Sequence, residues 1–203
     1  MIDLYYSGGS GGNFLLHLIL LSKQHICSFN GYPPSTDDNF NEIFADVFNT
    51  QWDILENWKD SEIIPDNVVV SSKIFTPISF TCLFCNIDKF VKVKPHILAR
   101  SNTSISVYAN PVLLDKLVRY KINTHNKHDA IAGVINKQIE SRILIGKKLS
   151  DIVDHGFSLN EIVSTSGQNV CDALSIPYTQ AHADFVARWT YMHPPHIRTL
   201  LLN

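Results

Sequence analysis

The chain carries little charge and no excess of either sign: 17 Lys and Arg stand against 19 Asp and Glu in 203 residues, a formal net charge of −2. That balance excludes a broad basic field of the kind that grips nucleic acid phosphates, so no nucleic-acid partner is expected and any anion site must be local. Cysteine is scarce as well. Cys27, Cys82, Cys85 and Cys171 are too few and too scattered for the disulfide framework of a small secreted protein, and a reducing, cytoplasmic setting is expected. Long apolar runs are also missing. The longest near the start, Phe14 to Leu21, contains His17, is too short to cross a bilayer and has no basic segment before it. Neither a signal peptide nor a membrane anchor is expected, and no membrane partner. There is no internal repeat and no low-complexity tail.

What is present suffices for one core. With 45% hydrophobic residues, the length fits a single domain over residues 1–203. Ile2 to Tyr6 is a short apolar run that leads into Ser7-Gly8-Gly9-Ser10-Gly11-Gly12, and Asn13 to Lys23 is leucine-rich and helical in pattern. Residues 28–41, with Gly, two Pro, Asp and Asn, read as an exposed loop beside that turn. Asn41 to Trp58 has helical spacing and Val68 to Val70 reads as a buried strand, with further β-rich runs at Phe90 to Val93 and Ile105 to Tyr108. After Pro111 the pattern turns helical. Asp129 to Val153 reads as one long helix with Gly156 placed to end it, Ile162 to Ser164 as a β-rich trio, and Gln168 to Leu174 and Gln180 to Met192 as helices closed by Pro194 and Pro195. Strands alternating with helices predict an α/β fold, a three-layer αβα arrangement around a mostly parallel sheet.

The opening glycine cluster carries the most chemistry. Between a buried strand and a helix, such a turn lets backbone N–H groups converge on an anion while the helix N-terminus adds partial positive charge. A GGSGG string is elsewhere a flexible linker, but its place between strand and helix favours an anion-binding loop of the P-loop type. It is not a Walker A sequence: no Lys follows the last glycine, and Asn13 stands where Ser or Thr would hold Mg²⁺. Nor is it a dinucleotide fingerprint, since counting from Gly9 puts Phe14 where GxGxxG needs its third glycine.

Gly9-Ser10-Gly11-Gly12-Asn13-Phe14-Leu15 resembles the loop of the sulfotransferases that use 3′-phosphoadenosine 5′-phosphosulfate, Lys/Arg-Ser-Gly-Thr/Ser-Thr/Ser-Trp/Phe-Leu. The Ser-Gly core and aromatic-Leu pair match; Gly9 replaces the basic residue, and Gly12 and Asn13 the hydroxyl residues. Val91-Lys92-Val93-Lys94-Pro95-His96 is similar to that family's strand ending in Lys-Thr-His. Ile105-Ser106-Val107-Tyr108-Ala109-Asn110-Pro111 resembles the strand ending in Arg-Asn/Asp-Pro, with Ala109 in place of the Arg and Leu117 in place of the following Ser. The resemblance extends to the helix ending near Trp189 and implies a divergent sulfotransferase on a P-loop-containing nucleotide-binding fold.

It further implies a transferase that moves a sulfuryl group, without a metal, to a hydroxyl or amine of a small-molecule or glycan acceptor bound under the 28–41 loop. His96 would take the acceptor's proton and Lys94 would add positive charge; a neutral imidazole suits that task near pH 7. Gly8, Gly9, Ser10, Gly11, Gly12, Asn13, Phe14, Asn110 and Arg119 would bind the donor, with Lys116 or Lys121 as other basic residues for the 3′-phosphate. Two readings stand beside it: a nucleotide- or anion-binding P-loop protein without catalysis, and a nucleotide-kinase-like phosphotransferase, which would need Mg²⁺. Cys82 and Cys85 have CxxC spacing but no second ligand pair, and read as buried thiols. The remaining histidines form no tight metal motif, and Trp52, Trp58 and Trp189 read as packing residues.

Overall fold

Strand β1 (Ile2–Ser7) is buried at every position, the pattern of a strand covered on both faces. The computed structural model describes residues 2–22, 25–29, 76–99, 102–124 and 132–203. Around β1 are β2 (His25–Phe29), β3 (Thr76–Phe84), β4 (Thr103–Tyr108) and β5 (His155–Ser158), in the order β2-β3-β1-β4-β5. All four pairings are parallel. The helices are α1 (Gly12–Leu20), α2 (Ile87–Leu98), α3 (Pro111–Thr124), α4 (Ala132–Ser150), α5 (Leu159–Ser164), α6 (Gln168–Leu174), α7 (Gln180–Met192) and α8 (Pro195–Leu202). The class is α/β, with helices on both sheet faces.

Side-chain alternation along β1 and β4 sorts the two faces. Ile2, Leu4 and Tyr6 with Ile105 and Val107 pack into one cluster with Phe14 to Leu20 of α1, Leu113 and Leu117 of α3, Phe185 and Trp189 of α7, and Ile197 and Leu201 of α8. Tyr5 and Leu83 pack on the other face with Phe90 and Ile97 of α2 and Ile145 and Leu149 of α4. The chain therefore leaves β1 toward one face and β3 toward the other, and although α3 after β4 lies on the α1 side, α4 crosses to the α2 side before β5. Such a reversal opens a crevice at the carboxyl end of the strands, where open α/β sheets bind ligands. The order differs from the 3-2-1-4-5 of the dinucleotide-binding fold.

Three expectations change. The run Phe90–Val93, and with it the strand expected at Val91–His96, is the helix α2, whose N-cap Asn86 accepts a hydrogen bond from Lys89 N–H at 3.0 Å. Phe90 and Ile97, seven apart, are buried on one face while Val91, Lys94 and His96 are exposed, so helical spacing prevails over the alternation of the β-branched residues. Ile162–Ser164 belongs to α5, which Ser158 and Glu161 start as a capping box; the strand lies just before it. Gly156 lies within β5, and α4 ends earlier, at Ser150. The helix read at Asn41–Trp58, the strand at Val68–Val70, Trp52, Trp58, His125, His128 and residues 30–41 lie outside the described residues.

Candidate functional site

Ser7 ends β1 at the strand reversal, and there the β1–β3 ladder slips: Tyr6 pairs with Cys82 but Ser7 with Phe84. Irregularities of this kind bend a strand and occur beside functional sites. The chain then folds tightly. Ser10 N–H and Ser10 Oγ both donate to the Ser7 carbonyl, at 3.2 and 2.7 Å, so the Ser10 hydroxyl closes the turn. Gly9 (φ 82°) and Gly11 (φ 91°) take left-handed conformations that side chains disfavour. Gly11 is also the N-cap of α1, with no side-chain cap among the described residues. The first-turn N–H groups, from Gly12 to Phe14, thus have no intrahelical acceptor at the positive end of α1, an arrangement that is able to donate to an anion.

Packing fixes that geometry. A side chain at Gly11 would begin 2.6 Å from Leu159 Cδ2, and one at Gly12 would fall within the Tyr6 ring. Tyr6 O–H donates to Asn13 Oδ1 at 3.3 Å, which leaves the half-exposed Asn13 amide its N–H₂ to offer. Phe14 turns the other way. It is buried and stacks on Trp189 with ring centroids 4.1 Å apart and on Phe185 at 5.5 Å, so its side chain anchors α1 to α7 and only its backbone N–H belongs to the site. Trp189 is a core residue, as its pattern implied. His17, one turn into α1, donates from Nδ1 to the Asn13 carbonyl at 2.6 Å; burial pushes its pKa down despite that bond, so it adds no charge near pH 7.

Charge reaches the loop from α4 instead. Arg142 Nη1 lies 3.3 Å from the point where a Gly9 Cβ would sit, and Val118 Cγ2 of α3 lies 3.0 Å from the same point. Arg142 Nε is buried without a hydrogen-bond partner among the described residues, as are Ser7 Oγ and Ser106 Oγ. Ser7 and Ser106 are fully buried, 0% exposed, so these hydroxyls are enclosed rather than turned to solvent. Ser7 Oγ lies 3.8 Å from the Cβ position of Gly146, one turn of α4 beyond Arg142 on the same helix face. Ser7 Oγ and Arg142 Nε thus both lie on the α4 side of the loop, while His182 Nε2, likewise buried without a partner among the described residues, belongs to α7.

The other expected residues fall elsewhere. Asn110 caps α3 by accepting from Leu113 N–H at 2.9 Å, and its amide donates to Asn160 Oδ1 at 3.2 Å; Asn160 in turn donates to the Leu200 carbonyl. Asn110 thus ties three helices together. Arg119 donates to Asp115 at 2.9 Å and Asn136 at 2.7 Å, which commits it to joining α3 and α4. Lys116 is exposed, and the Lys121 side chain lies outside those described. Ala109 and Leu117, at the positions of the resembled 3′-phosphate clamp, are buried core residues.

Lys94 and His96 are not brought to the loop. Helix α2 starts at the carboxyl end of β3 and runs back toward the start of β4, so His96, nine residues in, lies about 14 Å along the helix from its first residue. That is toward the amino ends of the strands, the end of the sheet opposite Gly8–Asn13, and both side chains are exposed. Cys85 is a half-buried free thiol and Cys171 a buried one, pushed up to about 11 by burial and then by Asp172. No group of three or more His, Cys, Asp or Glu among the described residues is arranged to hold a metal ion. No helix among them is long and apolar enough to cross a membrane.

Sequence reasoning missed Arg142, because a single Arg in a long polar helix carries no local signal; the packing of α4 against β1 creates its role. No protein-family model matches the chain, and no curated protein matches it.

Proposed function

We propose that this chain binds a nucleotide by its phosphate or sulfate group at the Gly8–Asn13 loop, on a P-loop-type fold. One observation carries the reading: an uncapped helix N-terminus with two left-handed glycines stands at the strand reversal, the place where backbone donors and helix dipole together favour an anion. The loop motif favours 3′-phosphoadenosine 5′-phosphosulfate as the ligand, with sulfuryl transfer to a hydroxyl or amine acceptor as the reaction. The sulfate end fits the loop. First-turn N–H groups and the Asn13 amide would stabilise charge on its oxygens, the chief contribution such a site makes to group transfer. The 3′-phosphate fits less well, because Ala109 and Leu117 are core residues and Arg119 is held by Asp115. The nucleotide-kinase-like alternative has the least support, since the loop offers neither the Lys nor the Mg²⁺-binding hydroxyl that it needs.

A second reading, nucleotide binding without turnover, is favoured by a separate observation: the residue expected as base, His96, stands toward the opposite end of the strands. Two measurements on the full chain separate the readings. Calorimetric titration with 3′-phosphoadenosine 5′-phosphate should show binding that does not require Mg²⁺ and is lost in Gly11→Val; no binding, or unchanged binding in the variant, would sink the loop as an anion site. An acceptor screen with sulfur-labelled donor then decides turnover. Label transfer that survives His96→Ala establishes a sulfotransferase with another base, whereas binding without transfer to any acceptor supports the second reading.

A further inference from the structure

We infer that Arg142 is the cation of the loop site and binds a tetrahedral oxyanion, a phosphate or sulfate, jointly with the backbone N–H groups of Gly12 to Phe14. The inference rests on the reading of the loop as an anion site and adds the residue that supplies its charge.

Two observations meet here. The first is steric. A basic side chain at position 9, where the resembled loop carries one, would have to leave Gly9 at φ 82° and start 3.0 Å from Val118 Cγ2 and 3.3 Å from Arg142 Nη1. The space where a loop cation would begin is taken by the guanidinium of α4, so the glycine at position 9 and the arginine at 142 form one arrangement. The second is an unmet hydrogen-bonding demand. Arg142 has no ion-pair partner and its buried Nε no acceptor among the described residues, and guanidinium groups keep their charge in proteins. Fully buried Ser7, whose hydroxyl also lacks a partner among the described residues, faces the same side of α4. An oxyanion over the loop meets the guanidinium end-on through Nη1 and Nη2, one of the fork geometries in which Arg binds phosphate and sulfate groups. The nearby Arg119 is committed to Asp115 and Asn136, so it does not compete for the role.

The test compares wild type, Arg142→Gln, Arg142→Lys and Gly11→Val as full chains, each titrated with inorganic pyrophosphate and with 3′-phosphoadenosine 5′-phosphate at two salt concentrations. Arg142→Gln should weaken binding by about 10- to 100-fold, the equivalent of one charge-assisted hydrogen bond, and flatten its salt dependence while the melting temperature holds or rises. Arg142→Lys should fall between, keeping the salt dependence and losing the fork; it carries the test if Arg142→Gln does not fold, and wild-type affinity in it would then overturn the inference. Wild-type affinity in Arg142→Gln with binding lost in Gly11→Val overturns the role of Arg142 and leaves the loop standing. Failure of the wild type to bind either anion overturns both. Equal affinity for the two probes identifies the ligand as a free oxyanion, and tighter binding of the bisphosphate identifies a nucleotide.

Discussion

The two faces of the sheet are finished differently. On the α1 side, Ile2, Leu4, Tyr6, Ile105 and Val107 meet a layer of leucine, phenylalanine and tryptophan side chains, and the packing leaves no space at Gly12. On the α2 and α4 side, the same two strands present Asp3, Tyr5, Ser7, Ser104 and Ser106, all buried. Some of these have clear hydrogen-bond partners. Ser104 N–H and Oγ both donate to Asp154 Oδ2, at 2.7 and 2.9 Å, and Asn102 donates to Asp3 at 3.1 Å. Ser7 Oγ and Ser106 Oγ, nearer the loop, have no partner among the described residues. His182 Nε2 of α7 is also buried without a partner among the described residues, so neither face is wholly matched; on the polar face the serine hydroxyls without a partner are those toward the loop. One face is almost wholly apolar, and the other carries the strands' polar side chains.

Matched glycines on the two faces give the largest contrast. Gly12→Ala drives a methyl group into the Tyr6 ring and should destabilise the protein by about 3 kcal/mol in a denaturant titration. Gly146→Ala on α4 meets only ordinary contacts, 3.5 Å to Tyr108 Cβ and 3.8 Å to Ser7 Oγ, and should be neutral or stabilising by up to about 1 kcal/mol through helix propensity. Equal losses in the two variants would erase the distinction between a tight face and a loose one.

Acid should act through the apolar face next. Burial is the largest cause lowering the pKa of His17, His182 and His193. Each is neutral in the folded protein at a pH where the unfolded chain's histidines begin to take up protons, so the unfolded state binds more protons. Stability is then complete above about pH 6.5 and falls as the pH drops below that value, by up to about 1.4 kcal/mol per pH unit for each group. His17→Leu should flatten the profile by one group's share. A denaturation midpoint that does not change from pH 7 to pH 5 would show that these rings are solvated.

The β1–α1 junction was readable because each part has a backbone cause: an apolar run buries, glycines permit left-handed turns, and leucines continue the helix. Helix α2 was misread because Val91-Lys92-Val93-Lys94 alternates with strand period while Phe90, Val93 and Ile97 carry the helical period, and Asn86 as N-cap was the deciding signal. The Ser158-x-x-Glu161 capping box was likewise present in the sequence and outweighs the β propensity of Ile162 and Val163. Arg142 had no such signal, since its contact with the loop joins segments more than 130 residues apart in the chain. Short-range rules reach the loop but not the charge that serves it.

Two serines on one strand give a smaller, cleaner comparison. Ser104→Ala removes the hydroxyl's hydrogen bond to Asp154 Oδ2 and should cost about 1 kcal/mol, because the Asp154 carboxylate, held below its usual pKa by its bonds to the Ser104 backbone and side chain, loses part of its support. Only the hydroxyl bond is lost outright, since the Ser104 backbone N–H remains. Ser106→Ala removes a buried hydroxyl with no partner among the described residues and should leave stability unchanged or slightly raised. A clear loss in Ser106→Ala would show that its hydroxyl is already satisfied in the free protein.

The smallest expected effect belongs to Lys94 and His96. Both are exposed on α2 toward the end of the sheet away from the loop, and exposed substitutions without buried partners change little. Lys94→Ala and His96→Ala should leave the melting temperature and the affinity for 3′-phosphoadenosine 5′-phosphate at wild-type values, while Arg142→Gln keeps the first and loses the second. A tenfold loss of affinity in His96→Ala would mean that α2 approaches the ligand after all. The polar face would then serve the site along its whole length, rather than at the loop end alone, where Ser7 Oγ, Ser106 Oγ and Arg142 Nε are buried without a partner among the described residues.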